Sequence, residues 1–114
     1  MTRHIDVLVI DADSSKQPER RSITADGIGQ ALNGGMLEAF GGGVWSGYCD
    51  EEGKFKGLPF NVRATRLARA LGWRTDDVLC GPVVFLGDAD ENGADTSVTP
   101  QVLDAARALG YLPS

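Results

Sequence analysis

The apolar runs in this chain are few and short, and that limits the fold more than any other feature. The longest begins at Ile5 and reads Ile5-Asp6-Val7-Leu8-Val9-Ile10. Rich in β-branched residues and bounded by turn chemistry at Asp11-Ala12-Asp13-Ser14-Ser15, it predicts a buried strand. A second run, Val83-Val84-Phe85-Leu86, is strand material of the same kind, and Val78-Leu79-Cys80 just before it is separated by Gly81-Pro82, a bulge or edge signal. Neither run approaches the ~20 residues that cross a bilayer. At 114 residues the chain has room for one domain with one modest core.

Between these runs the remaining elements follow from periodicity and punctuation. Arg20 to Thr24 reads as a second strand. Asp26 is placed to cap a helix in which Ile28, Leu32, Met36 and Phe40 recur every four residues, with Gly34-Gly35 inside it and Gly41-Gly42-Gly43 ending it. Val44 to Cys49 alternates as a strand. Asn61 caps a helix from Val62 to Leu71, stopped by Gly72; its apolar face is Ala64, Leu67, Ala68 and Leu71, with Arg63, Arg66 and Arg69 opposite. Thr99 caps a last helix with Pro100 at its first position and Gly110 beyond its end. The expected fold is α+β: a single small domain in the order ββαβαβα, with helices packed on a mainly antiparallel sheet.

The net charge of −5 hides a segregation. From Gly53 to Thr75 there is no acid and six bases: Lys54, Lys56, Arg63, Arg66, Arg69 and Arg74. The rest of the chain carries five bases and sixteen acids. Overall charge argues against direct nucleic-acid binding, while the basic segment admits a local anion site. Lys54 and Lys56 precede a helix N-terminus, Arg63 and Arg66 lie in its first turns, and Gly53 and Gly57 allow close backbone approach. Phe55 or Phe60 is available to stack on a base. The competing reading is a strand-to-helix connection in which Leu58 and Phe60 plug the core, Asn61 satisfies the helix start and the arginines face solvent. No Walker-type or G-x-G-x-x-G pattern is present, which excludes an ATPase or dinucleotide site of those kinds.

Other candidates are weaker. Asp88, Asp90, Asn92 and Gly93 match the first half of a calcium loop, but its twelfth position is Thr99 where Glu is needed, so a solvated acidic turn is expected. One histidine, His4, and two cysteines in no nucleophile context give no catalytic constellation and no zinc ligand set. Cys49 and Cys80 read as free thiols of a cytoplasmic protein. Trp45 and Tyr48 suit a sheet face, and Trp73 beside the arginines suits a core edge or an interface.

"YCDEEGKFKGLPFNVRATRL" and, later, "VLCGPVVFLGDADENG" resemble domain-of-unknown-function family 3846, found in bacteriophages, plasmids and their bacterial hosts. The resemblance runs through Val7 to Ile10, Gly35 to Phe40, Asp50 to Asn61, and Gly81 to Gly87. Asp50 stands where the family pattern has Asn, and Phe60 where a proline is frequent; Glu51, Gly53, Lys54, Gly57, Pro59 and Asn61 keep the pattern. The resemblance implies a mobile-element origin and no assigned chemistry. The expectation is a non-enzymatic accessory protein, without cofactor, metal or membrane, that binds a host ligand or partner, as in counter-defence by sequestering an anionic, nucleotide-like molecule. The expected site comprises Lys54, Phe55, Lys56, Gly57, Phe60, Asn61, Arg63 and Arg66. The alternative is an interaction module or acidic mimic directed at a nucleic-acid-binding host protein. A small metal-dependent hydrolase with Asp50, Glu51 and Glu52 on the metal is a distant third. A homodimer suits a chain this short.

Overall fold

The computed structural model describes residues 3–24, 27–32, 37–74 and 76–113. Strands β1 (His4–Ile10), β2 (Glu19–Thr24), β3 (Leu37–Gly42), β4 (Trp45–Asp50) and β5 (Val83–Gly87) form one sheet in the order β2-β1-β5-β4-β3. Every pairing is antiparallel. Helices α1 (Gly27–Ala31), α2 (Val62–Ala70) and α3 (Pro100–Ala108) pack on it, giving the α+β fold expected, in the order ββαββαβα.

Both apolar runs become the centre of the sheet. Leu8 lies opposite Phe85 and Ile10 opposite Val83. Period 2 then splits each run between two cores. Leu8, Ile10, Val83 and Phe85 join Trp45 and the apolar sides of α2 and α3 on one face. Ile5, Val7, Val9, Val84 and Leu86 meet Ile28 and Leu32 on the other. Burial on both faces is why these strands read as continuous apolar runs and not as alternation.

One expected element is corrected. The helix drawn to Phe40 stops in α1, and Leu37–Gly42 is a strand paired with β4 from Leu37↔Asp50 to Gly42↔Trp45. The apolar spacing of four was coincidental at its far end. Phe40 leaves the α1 core and packs against Trp45, Trp73 and Phe85, with ring centroids 5.8, 5.2 and 5.9 Å away. The triple glycine does not end a helix; it makes the β3–β4 hairpin, with Gly43 at φ 79° in a two-residue turn. The proposed cap Asp26 and Gly34, Gly35 and Met36 lie outside the described residues. A second correction is smaller: residues 78–80 form no strand, only a bridge between Cys80 and Phe60.

The two later helices start as expected. Asn61 Oδ1 accepts from the Ala64 N–H, and Thr99 Oγ1 accepts from that of Val102, with Pro100 behind it. No helix among the described residues is long and apolar enough to cross a membrane.

Candidate functional site

Residues 50–61 form a turn held from both ends. At the end of β4, Asp50 is buried, and its Oδ1 accepts the Glu52 N–H at 2.9 Å while its backbone oxygen accepts that of Gly53 at 3.0 Å. One helical turn follows and closes with two bonds, Leu58 N–H to Gly53 oxygen (2.9 Å) and Gly57 N–H to Lys54 oxygen (3.2 Å). This is a Schellman closure, and it places Gly57 in the left-handed region at φ 71°. Gly53 sits so close to Cys80 that a Cβ there would lie 3.2 Å from its carbonyl oxygen.

The lysines are tied to acids that lie outside the basic segment or at its border. Lys56 Nζ donates to Asp50 Oδ2 at 2.8 Å, and Lys54 Nζ contacts Asp77 Oδ1. These bonds hold both carboxyls below and both ammonium groups above their ordinary values. The turn is thereby latched to β4 and to the connection before β5.

The chain then runs beside residues 79–81, with Asn61 N–H to Leu79 oxygen and Gly81 N–H to Pro59 oxygen, both 2.8 Å. Asn61 is 1% exposed, and its Nδ2 donates to the carbonyls of Ile10 and Gly81, both at 2.9 Å. It joins the end of β1, the start of β5 and α2. Thr65 Oγ1 donates to the Asn61 oxygen and accepts the Leu79 N–H. Arg63 donates to the carbonyls of Asp11 and Asp13, pinning the β1–β2 loop, and Arg69 donates to that of Asp77. Leu58 lies against Gly81, where a Cβ would come within 2.7 Å of its Cδ1.

Of the eight residues singled out in the sequence, Lys54, Lys56, Asn61 and Arg63 therefore have partners inside the fold, and Gly57 shapes the turn. Arg66 is exposed and makes no hydrogen bond or ion pair among the described residues. Phe60 is half exposed. Phe55, at the crest of the latched turn, is 94% exposed. Around it an open depression of about 640 Å³ is bordered by Glu38, Glu51 and Glu52.

Beside that depression lies a smaller cavity of about 220 Å³ between β3, the turn, Trp73 and residues 77–80. Phe40, Trp73, Leu79 and Cys49 supply apolar walls, and Glu38, Glu51, Asp77 and Lys54 line it as well. Burial, then the Glu38 and Asp50 carboxylates, push the Cys49 thiol up to about 12, so it stays protonated and non-nucleophilic. Both cysteines are free thiols. Glu38 does not stand out in the sequence, where the spacing of four predicts a helix through it; the available strand signal is the glycine pair Gly42-Gly43 between two short segments, which suits a tight hairpin turn.

The other acids are distributed. Asp90 Oδ1 accepts from the Asn92 and Ala94 N–H groups within its own loop, and Asp95 accepts from the Tyr48 hydroxyl at 2.9 Å. Burial and that carboxylate raise the Tyr48 phenol above its ordinary value. Among the described residues no group of three or more His, Cys, Asp or Glu could hold a metal ion. Trp45 is core, its Nε1 donating to the Leu71 carbonyl at 3.2 Å.

No curated protein and no solved structure matches the chain. A family model described as a domain of unknown function matches residues 5–109, a span that contains both core strands, the latched turn and α2. By that match the chain belongs to the family DUF3846.

Proposed function

We propose that the domain is a non-enzymatic interaction module that presents Phe55 to a basic partner protein, in the mobile-element setting that its family resemblance implies. The observation that carries this is Phe55 itself. Burying a phenylalanine contributes roughly 1.5–3 kcal/mol, yet this one stands almost wholly in solvent on a turn fixed by two ion pairs and a Schellman closure. A phenylalanine has only two side-chain torsions to fix on docking and a large apolar area to bury, which suits an interface anchor on a turn whose backbone is already held. Glu38, Glu51 and Glu52 around it select a partner whose apolar pocket is rimmed by Lys or Arg.

The anion-sequestering role finds less support in the geometry, because four of its intended residues already serve the fold. Arg66 and the half-exposed Phe60 remain available to it.

A photo-reactive phenylalanine at position 55, with one at the exposed Gln101 as control, tests the proposal in host lysate. The expected result is cross-linking at 55 alone, to a basic protein, with capture weakened by salt and about 30-fold by Phe55→Ala, the loss of a ~2 kcal/mol hot spot. Equal capture by Phe55→Ala, or an acidic partner, would overturn it. A nucleotide that raises the melting temperature in wild type but not in Lys54→Ala/Arg63→Ala would favour sequestration instead.

A further inference from the structure

We propose that the cavity between β3, the latched turn, Trp73 and residues 77–80 receives an arginine side chain of the partner protein. This rests on the interaction reading above and names what the partner must contribute. Phe40 and Trp73 meet at 5.2 Å between centroids, and both line the cavity while only partly buried. An aromatic wall of this kind attracts a cation, and a planar, weakly hydrated guanidinium stacks on it better than an ammonium does.

The charges around the cavity point the same way. Four acidic residues line it, Glu38, Asp50, Glu51 and Asp77, against one basic residue, Lys54. Lys54 already sits on Asp77, and Asp50 is bonded to Lys56. The Glu38 and Glu51 carboxylates are exposed and make no hydrogen bond or ion pair among the described residues. They are left to take the guanidinium N–H groups by charge-assisted bonds once its stem is against Phe40 and Trp73. At about 220 Å³ the space is far above the roughly 15 Å³ that a single water needs. Glu38 and Glu51 also border the depression beside Phe55, so knob and receptor share a rim. One partner surface with an arginine next to an apolar pocket would fill both.

The test is an NMR titration of the isolated chain with N-acetyl-arginine amide, its citrulline analogue and spermidine, followed at the two indole N–H resonances. Trp45 is the internal control, since its N–H is bonded to Leu71 inside the core. The expected result is a saturating shift at Trp73 and none at Trp45, at least about fivefold weaker binding of citrulline, and about tenfold weaker binding to Glu38→Gln/Glu51→Gln. No Trp73 shift, citrulline equal to arginine, or an unaffected double variant would overturn the proposal. Spermidine binding more tightly than the arginine ligand would also overturn it, reassigning the cavity to a free polyamine. The titration involves neither Phe55 nor a partner. Its failure would leave Phe55-dependent capture standing, and unchanged titration of Phe55→Ala would show the receptor intact if capture failed.

Discussion

Replacing Asn61 by alanine removes a side chain that is 1% exposed and fully used. Its Oδ1 caps α2 through the Ala64 N–H at 3.0 Å, and its Nδ2 serves the Ile10 and Gly81 carbonyls at 2.9 Å each. Loss of an Asn cap costs about 1 kcal/mol. Each buried carbonyl deprived of its donor costs about 1 kcal/mol or somewhat more. The sum is about 3–4 kcal/mol, a large share of the roughly 5–15 kcal/mol that holds a small domain folded. At this chain length that corresponds to a melting point about 12–16 °C lower, at about 4 °C per kcal/mol. Urea unfolding followed by tryptophan fluorescence gives the free energy directly, and an unchanged slope certifies that the folded state is comparable. Asn61→Asp is the companion variant. It keeps the cap acceptor but turns a carboxylate toward two carbonyl oxygens, which raises its pKa in the folded state. Its deficit relative to wild type therefore shrinks as pH falls and the carboxyl protonates, and grows again toward neutrality. A loss under about 1 kcal/mol for Asn61→Ala, or an Asp variant whose deficit ignores pH, would refute the assignment of Asn61 as the three-way tie.

Two further outcomes are expected. Gly47→Ala places a Cβ within 2.3 Å of the Phe40 ring, which Trp45, Trp73 and Phe85 prevent from moving aside, so it should cost about 2–3 kcal/mol in the same urea assay. The Asp50 carboxyl is held below its ordinary 3.8 chiefly by the Lys56 hydrogen bond and next by the Glu52 N–H, so its ionised form stabilises the fold above that value, and the benefit is lost as pH falls through the lower folded-state pKa. Asp50→Asn should thus be less stable than wild type at pH 7, and its stability should depend less on pH below 3.8.

The family, the fold class and most elements were legible in the residues because local chemistry specifies them. Thr99-Pro100 and Asn61 mark helix starts by satisfying orphan N–H groups, and Gly110 lies just past a helix end at φ 80°. The runs at Val7 to Ile10 and Val83 to Leu86 name central strands because burial on both faces demands apolar side chains at successive positions. The failure at Leu37–Gly42 has an equally physical origin. Apolar residues at every fourth position satisfy both a helix face and a strand of alternate residues, and only pairing with β4 and the ring cluster around Phe40 chose the strand.

The site was half legible. Residues 50–61 stand out by composition, and the segregation of acids from bases marks where the chain changes sign. What each charge does depends on neighbours distant in sequence. Lys54 meets Asp77, Lys56 bends back to a buried Asp50, and Arg63 reaches the carbonyls of Asp11 and Asp13. A row of bases in sequence thus becomes mostly fastening, and the large apolar side chain left most exposed is Phe55, which by hydrophobicity alone belonged inside. By itself the sequence determined the starts of α2 and α3, the central strands and the family. Tertiary structure alone decided which charges were neutralised and which aromatic was exposed, because pairing and burial are set by contacts across the fold and not by the order of residues along it.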